Sequence, residues 1–223
     1  MDPKNLEQLA QAIADAIRLQ DVPPRSNEQR GGEAVLIPVG VSARHIHLSR
    51  EDADTLFGKD YQLTKKAVLM GGQFATNETV TVVGAKLRSI ENVRVLGPLR
   101  KQTQLEISAT DKLKLGVAAP LRESGDLKGS APISIAGPKG AVHLTEGCIV
   151  AARHIHLPPC EAAKRALKDG SIVSVEVPGE RGLVLNNVKV RVHETFTAEM
   201  HIDTDEANAC GVKTGDRLRI IHS

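Results

Sequence analysis

Two short segments carry side chains whose types and spacing could hold a metal ion: His45-Ile46-His47 and His154-Ile155-His156. On an extended strand, residues i and i+2 point to the same side. Each segment can therefore turn two imidazoles towards a single ion. A lone His-x-His pair is more often a surface or core pair than a metal site, so the repetition matters. Val41-Ser-Ala-Arg-His-Ile-His-Leu48 recurs as Val150-Ala-Ala-Arg-His-Ile-His-Leu157, an offset of 109. A second match, Asn92-Val-Arg-Val95 with Asn187-Val-Lys-Val190, runs at an offset of 95. Carried forward, that offset lays Thr103–Asp111 over Ala198–Glu206 and places Glu106 opposite His201. Copying a structural histidine would not require its replacement to be another metal-ligating type. Two triads follow: His45, His47 and Glu106 in one copy, and His154, His156 and His201 in the other. Three protein ligands with a fourth position open is the pattern of catalytic zinc, the usual occupant of His-rich open sites, with iron or cobalt as alternatives. Two such ions brought close could stabilise both the attacking and the leaving atoms of a displacement.

Other polar groups are less specific. Arg44 and Arg153 precede the histidine pairs and read as structural partners of carboxylates. Arg100 follows the turn Gly97-Pro98, just before the strand that carries Glu106, and is a cation available to clamp an anion. Ser124-Gly125 and Gly137-Pro-Lys-Gly140 are turn sequences. No P-loop frame and no Gly-x-Ser-x-Gly elbow is present. Cys160, after Pro158-Pro159, reads as a packed thiol rather than a nucleophile.

The elements that must position these groups are mostly strands. Val35–Val41, Thr79–Val83, Val93–Leu96, Ile172–Val177 and Val188–Val192 are β-branched runs bounded by Gly, Pro or Asn, suggesting barrels or a sandwich. Helical patterns are few: Arg50–Leu56 after Ser49, and Pro159–Leu167. The change of offset requires 14 more residues in the first copy, and the stretch Phe57–Thr76 with Gly71-Gly72 accommodates them. Over residues 4–19, Leu6, Leu9, Ala10, Ile13, Ala14 and Ile17 form one helical stripe. A Pro- and Gly-containing linker follows over 21–33. That helix either folds back on its own domain or seeks a partner. The chain has 223 residues, 25% charged, with a net charge of +2 and 2% aromatics. Such a balance gives no reason to expect a general nucleic-acid binder, and base-stacking platforms need aromatics. Three cysteines without tight spacing fit a reducing cytoplasm. No run of about 18 apolar residues could span a membrane, and Asp2, Glu7 and Asp15 interrupt any secretory h-region.

The chain resembles the microcompartment-type phosphate acyltransferases, the phosphate propanoyltransferase family. The resemblance lies in Val-Ser-Ala-Arg-His-Ile-His-Leu at 41–48, Gly-Pro-Leu-Arg at 97–100, Gln-Leu-Glu at 104–106, Gly-Ser-Ala-Pro at 129–132, Gly-Pro-Lys-Gly at 137–140, Ala-Ala-Arg-His-Ile-His at 151–156 and Met-His-Ile-Asp-Thr-Asp-Glu-Ala-Asn-Ala at 200–209. It implies a mainly β fold of two tandem six-stranded β-barrels with short capping helices, plus an N-terminal amphipathic helix on a flexible linker. The implied divisions are a targeting helix at 1–20, a linker at 21–33, a first strand at 34–44 joining the second barrel, and barrel modules at 45–152 and 153–223. The resemblance further implies two Zn2+ ions on the two triads, with Arg100 and Ser124 near bound phosphate and Arg100 catalytic. The implied reaction converts acyl-CoA, expected to be propanoyl-CoA, and phosphate into acyl phosphate and CoA. The implied setting is a homodimer or larger homo-oligomer inside a bacterial microcompartment in the cytoplasm. There the N-terminal helix would meet the shell or other enzymes. A zinc-dependent acyl-CoA hydrolase and a non-catalytic metal-stabilised scaffold are the alternatives that share these ligands.

Overall fold

Alternation along the strands decides which side chains fill the cores and which are left for chemistry. A computed structural model of the chain describes residues 36–221; the helix read over 4–19 and the linker over 21–33 lie outside the described residues. The first half runs β1 (Leu36–Ser42), β2 (His45–Ser49), α1 (Arg50–Phe57), β3 (Lys65–Val68), β4 (Phe74–Val83), β5 (Ser89–Arg100), β6 (Gln104–Ile107), α2 (Ala109–Leu115), β7 (Leu121–Arg122) and β8 (Ala131–Ala136). The second runs β9 (Ala141–Ala151), β10 (His154–Leu157), α3 (Pro159–Lys164), β11 (Ile172–Val177), β12 (Leu183–Val192), β13 (Glu199–Asp203), α4 (Thr204–Cys210) and β14 (Arg217–Ile221).

The strands close into two six-stranded rings. One has the order β4-β5-β2-β6-β9-β8 and returns to β4, with β3 and β7 added on its outside. The other is β1-β13-β10-β12-β11-β14. Each ring encloses its own apolar core. Ile46, Leu48, Leu105 and Ile107 point into the first, and Ile155, Leu157, Met200 and Ile202 into the second. Burying side chains of this size contributes roughly 1.5–3 kcal/mol each. With these residues inward, the intervening His45, His47, Gln104, Glu106, His154, His156, Glu199 and His201 face away from the cores.

The strand before each histidine pair closes the other barrel. β1 precedes His45 but pairs with β13 and β14, Val39 lying beside Met200 and Val41 beside Ile202. β9 precedes His154 but pairs with β6 and β8, Cys148 lying beside Leu105 and Val150 beside Ile107. The exchange is reciprocal and keeps both repeat offsets. The chain crosses between barrels at Ala43-Arg44 and again at Ala152-Arg153, immediately before the two histidine pairs. Residues 36–221 accordingly belong to one compact unit.

Capping makes the repeat visible again. Ser108 caps α2 in a capping box with Asp111, and Asp203 caps α4 in a capping box with Glu206. Gly116 and Gly211 end these helices in the left-handed conformation, φ 67° and 73°. These two helices were not apparent from hydrophobic periodicity because each is only seven residues long. Helix α1 starts on Ser49, whose Oγ accepts from the Asp52 amide at 3.1 Å. Helix α3 stops short of Leu167, since Ala166 turns to φ 51°. Cys160 is exposed rather than packed, because α3 buries only Ala162. The additional residues of the first copy form β3 and the tight turn Met70–Gly72. Among the described residues no helix is long and apolar enough to cross a membrane.

Candidate metal centre

Each histidine pair is oriented by the backbone just before it. Nδ1 of His45 lies 2.9 Å from the Ala43 carbonyl, and Nδ1 of His154 lies 2.9 Å from the Ala152 carbonyl. A carbonyl only accepts, so in both residues Nδ1 carries the proton and Nε2 offers its lone pair. The neighbouring arginines fasten the third-ligand strands to the same spots. Arg44 Nε donates to Asp111 Oδ2 at 2.7 Å, and Arg153 Nη1 donates to Glu206 Oε1 at 2.9 Å. Those acids are the capping-box acids of the helices that follow β6 and β13. The reading of Arg44 and Arg153 as structural partners of carboxylates agrees with these contacts.

The structure brings His45, His47 and Glu106 together, and likewise His154, His156 and His201, with ligand-capable atoms within 4.8 Å of one another in each group. Antiparallel pairing sets His45 directly beside Glu106 and His154 directly beside His201. Glu106 Oε2 is 3.4 Å from His45 Nε2. Two atoms bound tetrahedrally to one zinc at about 2.1 Å lie about 3.4 Å apart. Among the described residues, His47 Nδ1, both ring nitrogens of His156 and His201 Nε2 are buried without a hydrogen-bond partner. A buried polar atom left unmatched costs about 1–3 kcal/mol, and a cation in each cluster would supply the missing partner.

The electrostatics suit the same occupant. Burial pushes His47 down to about 3, with the Arg100 and His45 charges acting the same way. Burial, followed by His154 and His201, pushes His156 down to about 2. Burial and then His154 take His201 to about 4, and burial also lowers His154. All four are neutral at neutral pH, the form that ligates metals. For Glu106, burial acts to raise the pKa. The neighbouring His45, a hydrogen bond from Ser124, and then His47 and Arg100 overcome it and hold the carboxyl below its usual range. The Glu106 charge also bears on His154 and His201, so the two clusters share one electrostatic environment.

Glu106 is held at one oxygen and free at the other. Its Oε1 accepts from Ser124 Oγ at 2.8 Å and from the Gln104 amide. Gln104 also donates to Ser124 Oγ at 2.9 Å and accepts from the Gly125 amide at 2.8 Å, which locks the Ser124-Gly125 turn onto β6. Arg100 Nη1 lies 3.4 Å from Ser124 Oγ. Burial pulls the Arg100 pKa down, Glu106 opposes this, and Arg191 reinforces it. Among the described residues, neither Arg100 nor Arg191 takes part in an ion pair. Two half-buried guanidinium groups from different barrels thus lie near the clusters, neither of them ion-paired among the described residues.

Residues 38–213 match the phosphate propanoyltransferase family. The chain belongs to that family. It is 59% identical over 194 residues to a phosphate propanoyltransferase of Lachnoclostridium phytofermentans, covering 87% of this chain and 91% of that one. Similarity to the phosphate propanoyltransferase of Thermotoga maritima is 54% over 83% of this chain and 89% of that one. For the Salmonella typhimurium phosphate propanoyltransferase the values are 52%, 78% and 83%.

Four residues of this phosphate propanoyltransferase-family site escaped the reading of the sequence. Gln104 and Glu199 occupy repeat-equivalent positions, each two residues before the third member of its triad. The same i, i+2 rule that selected the histidines would have found them. Glu199 Oε2 is 3.5 Å from His201 Nε2. Arg191 lies beside His156 in the β10–β12 register. Phe196 stacks on His156 with ring centroids 3.9 Å apart and planes 18° apart. Nothing local in the sequence marks Arg191 or Phe196, since each acquires its neighbour through strand pairing and loop folding.

Proposed function

We propose that the chain is a phosphate acyltransferase that interconverts acyl-CoA and phosphate with acyl phosphate and CoA, propanoyl-CoA being the acyl donor. In this reading, His45, His47 and Glu106 hold one Zn2+, and His154, His156 and His201 hold a second. The observation that carries it is the pair of clusters of ligand-capable atoms, several of them buried without a hydrogen-bond partner among the described residues, near the guanidinium of Arg100, which has no ion pair among those residues. Bound there, zinc supplies Lewis-acid charge and an acceptor for soft sulfur. Arg100 can clamp phosphate oxygens in a fixed fork, and Ser124, held by Gln104 and Glu106, sets the position of that fork. A phosphate oxygen so oriented forms a bond to the thioester carbonyl carbon. The carbon–sulfur bond then breaks, and its electron pair leaves with CoA. The half-buried Arg100 guanidinium can also stabilise the oxyanion that develops between these events. No nucleophile from the protein is needed.

The test is acyl phosphate formation from propanoyl-CoA, with and without phosphate, before and after chelation. Product should require both phosphate and metal, and metal should restore activity to the chelated protein. Thioester cleavage at an undiminished rate without phosphate would assign a hydrolase. Full turnover by metal-free protein would remove the metals from catalysis.

The homo-oligomeric state and the microcompartment setting belong to the same proposal, supported by family membership. There, residues 1–20 act as a targeting helix. Deleting them should leave turnover intact and abolish co-sedimentation with shells. Loss of turnover would instead make the helix part of the catalytic body.

A further inference from the structure

The chain is poor in aromatics, with three Phe, one Tyr and no Trp, so the location of each is informative. Phe57 and Tyr61 stack on each other at the first barrel, with ring centroids 5.2 Å apart. Phe74 lies against Gly97, where a Cβ would meet its ring at 2.2 Å. The fourth, Phe196, belongs to neither core. It stands on the loop between β12 and β13, half-buried, with one face on the His156 ring. Its Cδ1 is 4.0 Å from the Cβ position of Gly71, at the tip of the hairpin that only the first copy possesses. An apolar ring thus stands between a candidate metal ligand of its own barrel and the Gly71 turn of the other, with the His193 ring of its own loop 5.4 Å away.

The repeat sharpens its meaning. At the offset of 95, the β12–β13 loop corresponds to the β5–β6 loop, and Phe196 occupies the place of Lys101. One loop therefore brings Arg100 and Lys101 to its barrel end, whereas the other brings Thr195 and Phe196. Phosphate transfer to an acyl group needs both kinds of surface. The phosphate needs cations and donors, and the alkyl chain attached to the reacting carbonyl needs an apolar wall that excludes water. The neighbours described so far are imidazoles, carboxylates, guanidiniums and amides, apart from Leu96 beside His47 in the other barrel.

We propose that Phe196 is the wall against which the acyl chain lies, and that with the Gly71 backbone it limits chain length. The proposal rests on the acyl-transfer reading and specifies its substrate end. Trimming the ring should deepen the slot for longer chains, and enlarging it should shorten the slot. A hydrophobic pocket discriminates by about tenfold or more per methylene.

The experiment measures kcat/KM for acetyl-, propanoyl-, butanoyl- and hexanoyl-CoA in wild type, Phe196→Ala, Phe196→Leu and Phe196→Trp, with bound zinc counted in each. Calorimetric binding of the corresponding thioether analogues gives a readout that does not depend on turnover. Phe196→Ala should raise the hexanoyl-to-propanoyl ratio at least tenfold in both readouts. Phe196→Trp should lower the butanoyl-to-acetyl ratio, and Phe196→Leu should fall between wild type and Ala. Lys101→Ala, at the equivalent place in the other loop, should leave the ratios unchanged. If Phe196→Ala fails to fold or loses zinc, the Leu and Trp variants decide. A uniform loss at every chain length would assign Phe196 to holding His156 and overturn the proposal. Wild type that forms no acyl phosphate from any of the four donors would instead defeat the acyl-transfer reading itself.

Discussion

The two barrels share a strand order, a pair of equivalent capping boxes, an arginine that ties each histidine pair to the helix after the strand bearing the third cluster residue, and a carbonyl that fixes each first histidine. Apart from the additional hairpin of the first copy, the differences that bear on chemistry lie on the face that meets the clusters. Glu106 stands where the other copy has His201, Gln104 where it has Glu199, Leu96 where it has Arg191, and Lys101 where it has Phe196. The histidine pairs and the type of each core and capping position have been kept, and the positions beside the histidine pairs have diverged. The consequence is one cluster with a carboxylate among its three ligand-capable groups and one with imidazoles alone. A single duplicated frame thereby offers two electrostatically different places for charge to develop.

That division can be broken experimentally. The largest effect is expected from the ligands. His45→Ala and His156→Ala should each lower bound zinc from two per chain to one, and each should reduce turnover by about a thousandfold, comparable to losing a principal electrostatic contributor. Arg100→Ala should reduce turnover by about a hundredfold or more with both metals retained. Metal counts and kinetics on the three variants check this. Two metals remaining in either histidine variant would contradict the assignment of one triad per ion.

The next effect concerns the shared frame. Leu105→Ala and Met200→Ala remove equivalent core residues, each beside the strand donated by the other copy, and each should cost about 2–5 kcal/mol. Because each barrel is closed by the other's strand, urea unfolding should remain one transition in both variants. Two separable transitions would mean that the exchange does not couple the barrels.

The smallest effect is a pH dependence of the metal-free chain. Burial holds His47, His154, His156 and His201 below their ordinary value, so the unfolded chain binds more protons once pH falls below about 6.5. Stability should therefore decline on acidification, by about 1 kcal/mol or less for each histidine between pH 7 and pH 6. Three of the four belong to the second barrel, so His156→Asn should flatten the thermal-melting profile. A melting temperature that rises towards pH 5 would reverse the sign and refute it.

Much of this was legible before any coordinates. The strand over Ile172–Val177 coincides with β11, and Ser49 caps α1 as its position before a helical pattern implied. Alternation selected His45 and His47, and the repeat located Glu106 and His201 from their flanking residues. The two seven-residue helices escaped because they are too short for periodicity to register, and their caps, Ser108 and Asp203, needed to be read as pairs with Asp111 and Glu206. The reading of Cys160 as a packed thiol fails because α3 turns only Ala162 inward.

Taken alone, the amino-acid order determined the face on which each ligand-capable side chain stands, because a period of two is a local property of extended backbone. It also determined which residues of the two copies correspond. Only the tertiary structure decided that β1 and β9 exchange barrels, that both crossings fall at the histidine pairs, and that Arg191 and Phe196 reach the same region. Alternation specifies which side of a strand is apolar but not which strand will lie beside it. That choice depends on closing two apolar cores at once, a condition met by the whole chain rather than by any segment of it.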